Sequence, residues 1–227
     1  MTEQDAHLVS RGTSLASQVH EALVEMLLSG ELAPDDRISM RDIAERLEVS
    51  VMPVREAVAR LVAQEALAVM PNRAVAVPLL TRASFRDLTE VRIHNERHAV
   101  ALAANLVDVP ALTAIRRLEA GFARALDAPT GRPAVKANKA LHFAIYDAAR
   151  SPVLAGVIRS LWLKAGPIIN LDLEEQTRRR RSAVSRAHHG MLVDALAVRD
   201  GSAAADAVEA DIRSAAEFIL SRDILPT

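Results

Sequence analysis

The sequence predicts a mainly α-helical protein in which a small N-terminal region with a hairpin precedes an antiparallel bundle of helices. Apolar residues make up 50% of the 227 residues but aromatic residues only 3%, so the cores must consist of Ala, Leu, Val and Ile. That composition, with only eight glycines, favours helices over sheets. Apolar positions also recur every three to four residues, which is the spacing of one helix face.

The composition limits the class of protein. The chain has no cysteine, which excludes a disulfide framework and a cysteine-based zinc finger and is compatible with a reducing cytosol. Residues 1–13 contain no apolar signal core and are expected to form a flexible tail. The longest apolar stretch, around residues 99–107, is broken by Asn105 and falls short of the roughly 20 residues that a membrane-spanning helix needs. We therefore expect a cytoplasmic protein with no membrane partner.

The N-terminal region begins with two predicted helices. The first covers residues 15–29, and Gly30 follows it at a position where a left-handed capping residue is favoured. The second helix is short and begins after Ser39. The hydroxyl of Ser39 can cap this helix together with Asp42, which lies three residues later as in a capping box.

A third helix and a hairpin complete this region. The helix is predicted at residues 51–64 with Ser50 as its cap, and two short strands follow at 67–69 and 75–77, joined by a turn at 71–74. Helix, turn, helix and a two-stranded wing form the winged helix-turn-helix, an arrangement that reads DNA. A small helical core with a hairpin and no ligand has the same shape, so shape alone leaves both interpretations open.

Several short segments of this region carry a specific pattern. They read GELAP at 30–34, RDIAERL at 41–47, VS at 49–50, PVREAV at 53–58 and PNR at 71–73. Across about 60 contiguous residues the region closely resembles the GntR family of bacterial transcription regulators. The resemblance implies that Arg41 and Arg55 contact DNA, Arg55 from the recognition helix in the major groove, and that Arg73 at the wing tip reaches toward the minor groove. Ser50 and Met52, at the start of the recognition helix, complete the predicted DNA-binding residues.

The sequence departs from the family pattern at several positions. An arginine usually follows the cap serine, but here Val51 and Met52 do, so a contact worth roughly 1–3 kcal/mol is missing and apolar contact with a thymine methyl could replace it. The family's usual glycines are replaced by Asp35, Glu48, Ala66 and Ala74. Residues 1–78 carry seven Arg against twelve Asp or Glu, a net charge of −5, whereas DNA-binding regions are usually basic. A helical binding protein with decayed DNA recognition is therefore an alternative.

The sequence predicts two domains, a winged helix-turn-helix at residues 14–78 and a six-helix domain at residues 79–227. The amphipathic segments of the second domain are separated by short connections that contain proline, glycine or aspartate. The fourth helix could extend past Pro167, and the basic run 178–181 is predicted to be a solvated loop, with phosphate binding as the less favoured alternative. The helices are predicted at residues 82–106, 111–126, 133–150, 152–165, 182–198 and 202–221.

Four polar positions of the second domain are candidate ligands. Asn138 and His142 are four residues apart, so both side chains leave one face of one helix. His189, next to His188, opens the fifth helix, and Asp211 lies on the sixth. Taken singly, each is more often an ordinary core or surface residue than a ligand.

The spacing of these residues resembles the ligand-binding FCD domain of the FadR subfamily of GntR regulators, in its shorter six-helix VanR-like branch. Many members there hold a divalent metal with one Asp and three His. The resemblance implies that Asn138 takes the place of the Asp, that His142 and His189 match two of the histidines, and that Asp211 takes the place of the third. Such a donor set suits zinc, manganese, iron or nickel. His188 is expected to point away from the ion.

Arg92, with Glu96 one turn later, has two interpretations. An exposed Arg–Glu pair would contribute only a few tenths of a kcal/mol. The resemblance implies instead an arginine that faces the cavity, where it would bind the carboxylate of an effector through a charge-assisted fork. The sequence leaves both open.

The sequence therefore predicts a homodimeric transcription regulator that binds a palindromic double-stranded DNA operator. Its affinity would change when a small organic acid binds, with a divalent metal, in the helical domain. An enzyme is not expected, because we find no general base at defined spacing, no nucleophile motif and no phosphate loop. A metal-dependent enzyme and a helical binding protein are the alternatives.

Overall fold

The computed structural model describes residues 14–71, 73–174, 178–222 and 224–227. The expected flexible tail, residues 1–13, lies outside the described residues. Within them, a winged helix-turn-helix is followed by a bundle of long helices, so the predicted fold class is confirmed.

The N-terminal region contains three helices and three short strands. They are α1 (Leu15–Leu28), β1 (Arg37–Ser39), α2 (Met40–Arg46), α3 (Val51–Ala63), β2 (Ala68–Val69) and β3 (Ala74–Ala76). Helix α2 begins as predicted, because Ser39 and Asp42 exchange the two hydrogen bonds of a capping box at 3.1 and 3.2 Å. Ser50 has the extended backbone of a cap residue, but its hydroxyl makes no capping bond, contrary to its predicted role.

Strand β1 was not predicted from the sequence. It pairs antiparallel with β3, so that Ile38 lies opposite Val75, and β3 also pairs with β2, which gives the order β1-β3-β2. With only three residues, β1 is too short to show the alternation of apolar and polar side chains by which a strand is recognised. Its pairing ties the start of α2 to the wing.

Several turns of the winged region have left-handed backbone at residues other than glycine. These residues are Asp35 (φ 66°), Glu48 (φ 54°), Glu65 (φ 57°) and Arg73 (φ 64°). After Glu48, the amide of Val49 donates to the carbonyl of Ala44 at 2.9 Å, the long bond of a Schellman motif. Two of the positions where the family usually has glycine, 35 and 48, thus have left-handed backbone. At the other two, 66 and 74, the preceding residue adopts it.

Six helices follow in the described part of the chain. They are α4 (Arg82–Leu106), α5 (Val109–Ala125), α6 (Arg132–Ala148), α7 (Pro152–Glu174), α8 (Arg178–Ala197) and α9 (Gly201–Ser221). Helix α4 contacts α6, α7, α8 and α9, and α8 packs against α5 and α9. The carboxylates of Asp108 and Asp200 cap α5 and α9.

Helix α7 extends past Pro167, as the sequence allowed, and helix α8 begins earlier than predicted. Helix α7 continues through Pro167 to Glu174, because Ile168 and Ile169 are buried and their packing offsets the hydrogen bond that the proline removes. Helix α8 begins at Arg178, so the backbone of residues 178–181 is helical and the predicted loop is wrong. Arginine is a good helix former, and a run of four can begin a helix as readily as a loop.

One stretch of α7, Pro152–Leu171, is long and apolar enough to cross a membrane by length and composition. The expectation that no such stretch exists was wrong, since it counted only uninterrupted apolar residues and this stretch contains Arg159 and Lys164. In the fold, α7 packs against α4, α6 and α9 as a helix of the bundle.

Helix α1 joins the winged region to the bundle. It packs on α3 within its own region and on α6 and α7 of the bundle. The side-chain amide of Asn170 donates to the carbonyl of Leu27 at 3.3 Å. Gly166 lies so close to Leu28 that an added Cβ would be 3.1 Å from Leu28 Cδ2. Movements of α7 therefore reach α1 directly.

Candidate functional site

The five residues predicted to contact DNA lie on the exposed side of the winged region. Met52, with 64% of its surface exposed, and Arg55 lie one turn apart on the outer face of α3, and Ser50 is exposed just before that helix. Arg41 is exposed in the first turn of α2, and Arg73 is exposed in the turn between β2 and β3. The fold thus gives each of these side chains access to a partner outside the protein.

The guanidinium groups of this surface are exposed. Among the residues that the structure describes, the guanidinium groups of Arg41, Arg55 and Arg73 form no hydrogen bond or ion pair. Glu65, a possible partner of Arg55 by sequence, binds Lys164 instead at 2.5 Å. Val51 packs against the core, so Met52 is the apolar residue presented outward at the start of α3. Unpaired guanidinium groups can donate to phosphates or to base edges.

Inside the bundle, three of the four predicted metal ligands converge. Nε2 of His142 and Nε2 of His189 lie 3.0 Å apart, and Oδ2 of Asp211 lies 3.5 and 3.4 Å from them. The three side chains come from α6, α8 and α9, and both histidines are buried. Asn138 lies one turn before His142 on α6 and is 8% exposed. Its amide makes no hydrogen bond within the described residues, so its oxygen is available.

The spacing of these donors fits a divalent ion. In a tetrahedral site with bonds of about 2.0–2.2 Å, neighbouring donor atoms lie roughly 3.3–3.6 Å apart. The separations of Asp211 from His142 and His189, 3.5 and 3.4 Å, lie in this range, and the two imidazole nitrogens, 3.0 Å apart, lie slightly closer. All three residues can supply a ligand atom within 4.8 Å of one another. Two imidazoles and one carboxylate form a chemically reasonable donor set for zinc, manganese, iron or nickel, and Asn138 stays a predicted fourth donor.

The charges at this centre also favour cation binding. Burial opposes ionisation of Asp211, but the neighbouring His189 and His142 outweigh it and hold the pKa of the Asp211 carboxyl well below its usual value. Burial, reinforced by His189, lowers the pKa of His142 although Asp211 opposes this. A carboxylate thus faces a neutral imidazole, and these are the protonation states that a metal requires.

Comparison with known proteins identifies both regions. Residues 15–77 match the family model described as "Bacterial regulatory proteins, gntR family". Residues 87–214 match the family model of the FCD domain. The HTH-type transcriptional regulator McbR of Escherichia coli (strain K12) is 32% identical over 154 residues, which are 68% of this chain and 70% of McbR. This chain belongs to the GntR family of bacterial transcription regulators. The family and FCD resemblance drawn from the sequence is confirmed.

Other known proteins are also similar to this chain. The HTH-type transcriptional regulator YcbG of Bacillus subtilis (strain 168) is 28% identical over 209 residues, 85% of this chain and 84% of YcbG. The solved structure of E. coli McbR/YncC has a TM-score of 0.86 at 26% identity and covers 92% of this chain and 99% of that chain. A GntR regulator from Rhodococcus sp. RHA1, with a TM-score of 0.73 at 23% identity over 91% and 97% of the two chains, shares the fold. This GntR protein is thus a DNA-binding transcription regulator, and its relatives are regulators rather than enzymes.

Arg92 of this regulator is buried and not an exposed surface arginine. It is 5% exposed, its Nε donates to Glu96 Oε1 at 2.8 Å, and its guanidinium carbon lies 5.1 Å from the centre of the Trp162 ring. Within the described residues its two terminal amino groups make no hydrogen bond. The arginine is therefore buried, and its two terminal amino groups remain available to bind a ligand.

Sequence reasoning missed the hydrogen-bond network behind the metal ligands. Glu96 is fully buried and accepts bonds from Arg92, from Trp162 Nε1 at 3.1 Å and from the hydroxyl of Tyr146, and Tyr146 also contacts Nδ1 of His142 at 2.9 Å. Burial and the nearby Glu96 raise the pKa of Tyr146 well above its usual value. One signal pointed here: the chain has a single Tyr and a single Trp, and Tyr146 lies four residues after His142.

His188 does not point away from the centre as predicted. Its Nδ1 lies 4.0 Å from Oδ1 of Asp211, on the side opposite the oxygen that faces His142 and His189. Adjacent residues of a helix leave it in different directions. Asp211 has two oxygens, however, and lies between the two neighbouring histidines. That His188 is not itself a metal ligand stays a prediction.

Proposed function

We propose that this regulator binds a palindromic operator as a cytoplasmic homodimer and that a small organic acid, bound with a divalent metal in the bundle, controls its operator affinity. Residues 14–78 would bind DNA through Arg41, Ser50, Met52, Arg55 and Arg73. Residues 79–227 would bind the metal through Asn138, His142, His189 and Asp211 and the acid through Arg92. The convergence of His142, His189 and Asp211 in the bundle carries this proposal.

The charges of the buried groups support the pairing of a metal with an acid. Arg92 and Glu96 neutralise each other, and Asp211 leaves one negative charge when the imidazoles are neutral. An organic acid would be repelled by that charge, but a divalent ion reverses it and leaves one positive charge to be neutralised. A bound ion would also offer open coordination positions to the carboxylate. We therefore expect monocarboxylates to bind more tightly to the metal-loaded protein than to the metal-free protein.

Arg92 is suited to bind the carboxylate of the acid together with the metal. Its two unused amino groups form the planar fork that binds a carboxylate with two hydrogen bonds. The rings of His142 and Trp162 lie 5.4 Å apart, and Arg92 lies over the same Trp162 ring, so the acid site and the metal ligands are neighbours. The geometry supports one composite site rather than two separate sites.

Helix α7 provides a route from this site to the DNA-binding domain. It carries Trp162, which bonds Glu96, and one and two turns later Gly166 and Asn170, which contact α1. A shift of α7 on effector binding would therefore change the packing of α1, on which α3 rests. Allosteric coupling of this kind is typically about 1–3 kcal/mol.

Two titrations test the proposal. Isothermal calorimetry with Zn²⁺, Mn²⁺, Fe²⁺ and Ni²⁺ is expected to show one ion per chain, and a panel of organic acids is expected to bind more tightly after metal loading. Gel shifts with DNA from upstream of its own gene should then respond to the same acid. Arg92→Lys should weaken acid binding, while Arg159→Lys, which alters an exposed arginine 5.0 Å from the Phe143 ring, should not.

Two results would contradict parts of the proposal. If no ion binds in excess metal, the metal site has decayed and Arg92 alone must hold any acid. If no upstream DNA shifts, the alternative of a binding protein with decayed DNA recognition is favoured, in line with the net charge of −5 over residues 1–78.

A further inference from the structure

We propose that Tyr146, held by Glu96, is a positioning residue that fixes His142 in the tautomer whose Nε2 is unprotonated. The inference deepens the metal-binding part of the proposed function and rests on it. It concerns the side chains behind the ligands rather than the ligands themselves.

The direction of the hydrogen bonds follows from the donors around Glu96. Arg92 Nε lies 2.8 Å and Trp162 Nε1 lies 3.1 Å from Oε1 of Glu96, and both groups can only donate. Because Arg92 carries a permanent charge and forms an ion pair with the fully buried Glu96, this residue is a carboxylate that only accepts. The Tyr146 hydroxyl contacts the other oxygen of this carboxylate, Oε2. Its single proton must point to Glu96, because a carboxylate has none to give.

The tautomer of His142 follows from the tyrosine. With its proton given to Glu96, the Tyr146 oxygen can only accept, and the atom 2.9 Å away is Nδ1 of His142. The proton of His142 must therefore lie on Nδ1, and a neutral imidazole has only one. Nε2 is left with a free lone pair directed at His189 Nε2 and Asp211. His142 is thus ready to bind a metal before the metal arrives.

His189 has the opposite tautomer. Its Nδ1 is buried without a hydrogen-bond partner among the described residues, while its Nε2 lies 3.0 Å from the free lone pair of His142. A proton on Nδ1 would leave a buried donor unpaired, whereas a proton on Nε2 can be donated to His142 or to Asp211. When a metal binds to Nε2 of His189, the proton on this nitrogen must therefore shift to Nδ1 or be released. The two histidines are not equivalent. Glu96 on helix α4 fixes the tautomer of His142, through Tyr146, but not that of His189.

Nuclear magnetic resonance of the metal-free protein tests this assignment. Long-range ¹H–¹⁵N spectra, recorded at a pH at which the imidazoles are neutral, distinguish protonated from unprotonated ring nitrogens. We expect an unprotonated Nε2 for His142 and a protonated Nε2 for His189. A protonated Nε2 on His142 of the wild-type protein would overturn the proposal without any variant.

Two matched variants test the cause. Tyr146→Phe keeps the ring but removes the acceptor for His142, so we expect mixed tautomers at His142. We also expect Zn²⁺ affinity to be about 10–100-fold weaker, the usual effect of losing a partner that orients a ligand. Thr89→Val also removes one buried hydroxyl and keeps the shape of the side chain, but the Thr89 hydroxyl donates to the carbonyl of Phe85 at 2.7 Å and takes no part in the His142 network. We expect it to leave the tautomer of His142 and the Zn²⁺ affinity unchanged.

The outcomes separate this proposal from the proposed function. Unchanged tautomers and affinity in Tyr146→Phe would overturn the positioning role. Equal losses in Tyr146→Phe and Thr89→Val would also overturn it, because they would indicate a general loosening of the bundle. If the wild-type protein binds no Zn²⁺ but Tyr146→Phe still alters the His142 tautomer, the metal proposal fails and the positioning role stands.

Discussion

The proposed DNA-facing surface, formed by Arg41, Ser50, Met52, Arg55 and Arg73, and the histidine centre, formed by His142, His189 and Asp211, place their side chains in different environments. Arg41, Arg55 and Arg73 are exposed, and their guanidinium groups bond to nothing else in the described chain, whereas His142 and His189 are buried in a connected set of hydrogen bonds. An exposed arginine owes its position to its own helix or turn. The position of a buried ligand depends on the packing of four helices, α4, α6, α8 and α9. The two regions should therefore respond differently to substitution.

The largest expected effect concerns the one carboxylate among the proposed ligands. Asp211→Ala removes the only anionic donor, whose pKa lies well below its usual value, and we expect Zn²⁺ affinity to fall by more than about 100-fold, beyond the loss typical of an outer partner. Asn138→Ala removes a neutral amide from the same centre and should cost roughly tenfold. Competition with a chromophoric chelator measures both. Equal losses would show that Asp211 is not a direct ligand.

The next effect belongs to the DNA-facing surface. Arg55→Ala should weaken operator binding by roughly 1–3 kcal/mol, because it removes a guanidinium that can donate to a base edge or a phosphate. Arg117→Ala, an exposed arginine on α5, makes the same change of charge and should have no effect. Fluorescence anisotropy at fixed salt measures both variants. Unchanged affinity in Arg55→Ala would remove this residue from the interface, and a changed Zn²⁺ affinity would contradict the independence of the two regions.

The contrast also explains which features could be predicted from the sequence. The capping box of Ser39 and Asp42 and the exposed position of Arg55 are local consequences of helix geometry, and the sequence predicted both. Strand β1 depends on pairing with a distant strand, and its three residues carry no pattern of their own. The sequence left the extension of α7 past Pro167 open, because burial rather than helix propensity sustains it.

For the histidine centre, the sequence predicted the ligands but not their support. His142, His189 and Asp211 matched a known spacing, and the structure brings them together. The bond from Tyr146 to Glu96 joins residues 50 positions apart, and no periodicity within one helix reveals it. Arg92 stayed open for the same reason, since its burial is decided by Trp162 on another helix.

The histidine centre should also respond to pH. Protons compete with a metal for imidazole, and the lowered pKa of His142 means that this residue stays neutral below the ordinary value of about 6.5. We therefore expect Zn²⁺ affinity to change little from pH 8 to about pH 6.5 and to fall only at lower pH. Calorimetry over this range tests the expectation. A steep loss already above pH 6.5 would contradict it.

A smaller effect is expected at the wing tip. Arg73 lies in an exposed turn and should contact a phosphate or the minor groove with little preference for sequence. Arg73→Ala should therefore reduce the slope of log affinity against log salt by about one and weaken specific and non-specific DNA alike. Anisotropy at several salt concentrations gives the slope. The same slope in wild type and variant would mean that the wing does not touch DNA.

The smallest effect concerns stability at the turn that leads from α2 to α3. Glu48 has a φ of 54°, where a side chain crowds its own backbone, and it is exposed. Glu48→Gly relieves about 1–2 kcal/mol of strain. It also gives the unfolded chain freedom worth about 0.4–1 kcal/mol, so a net gain of roughly 0.5–1 kcal/mol is expected in the free energy of unfolding. Glu48→Ala removes the same carboxylate but keeps the Cβ, so it should not stabilise, and thermal melting distinguishes the two. Equal melting temperatures for the two variants would show that the turn is not strained. If only Glu48→Gly raises the melting temperature, and operator and Zn²⁺ affinities are unchanged, the strain at this turn is a property of its own backbone and does not affect binding.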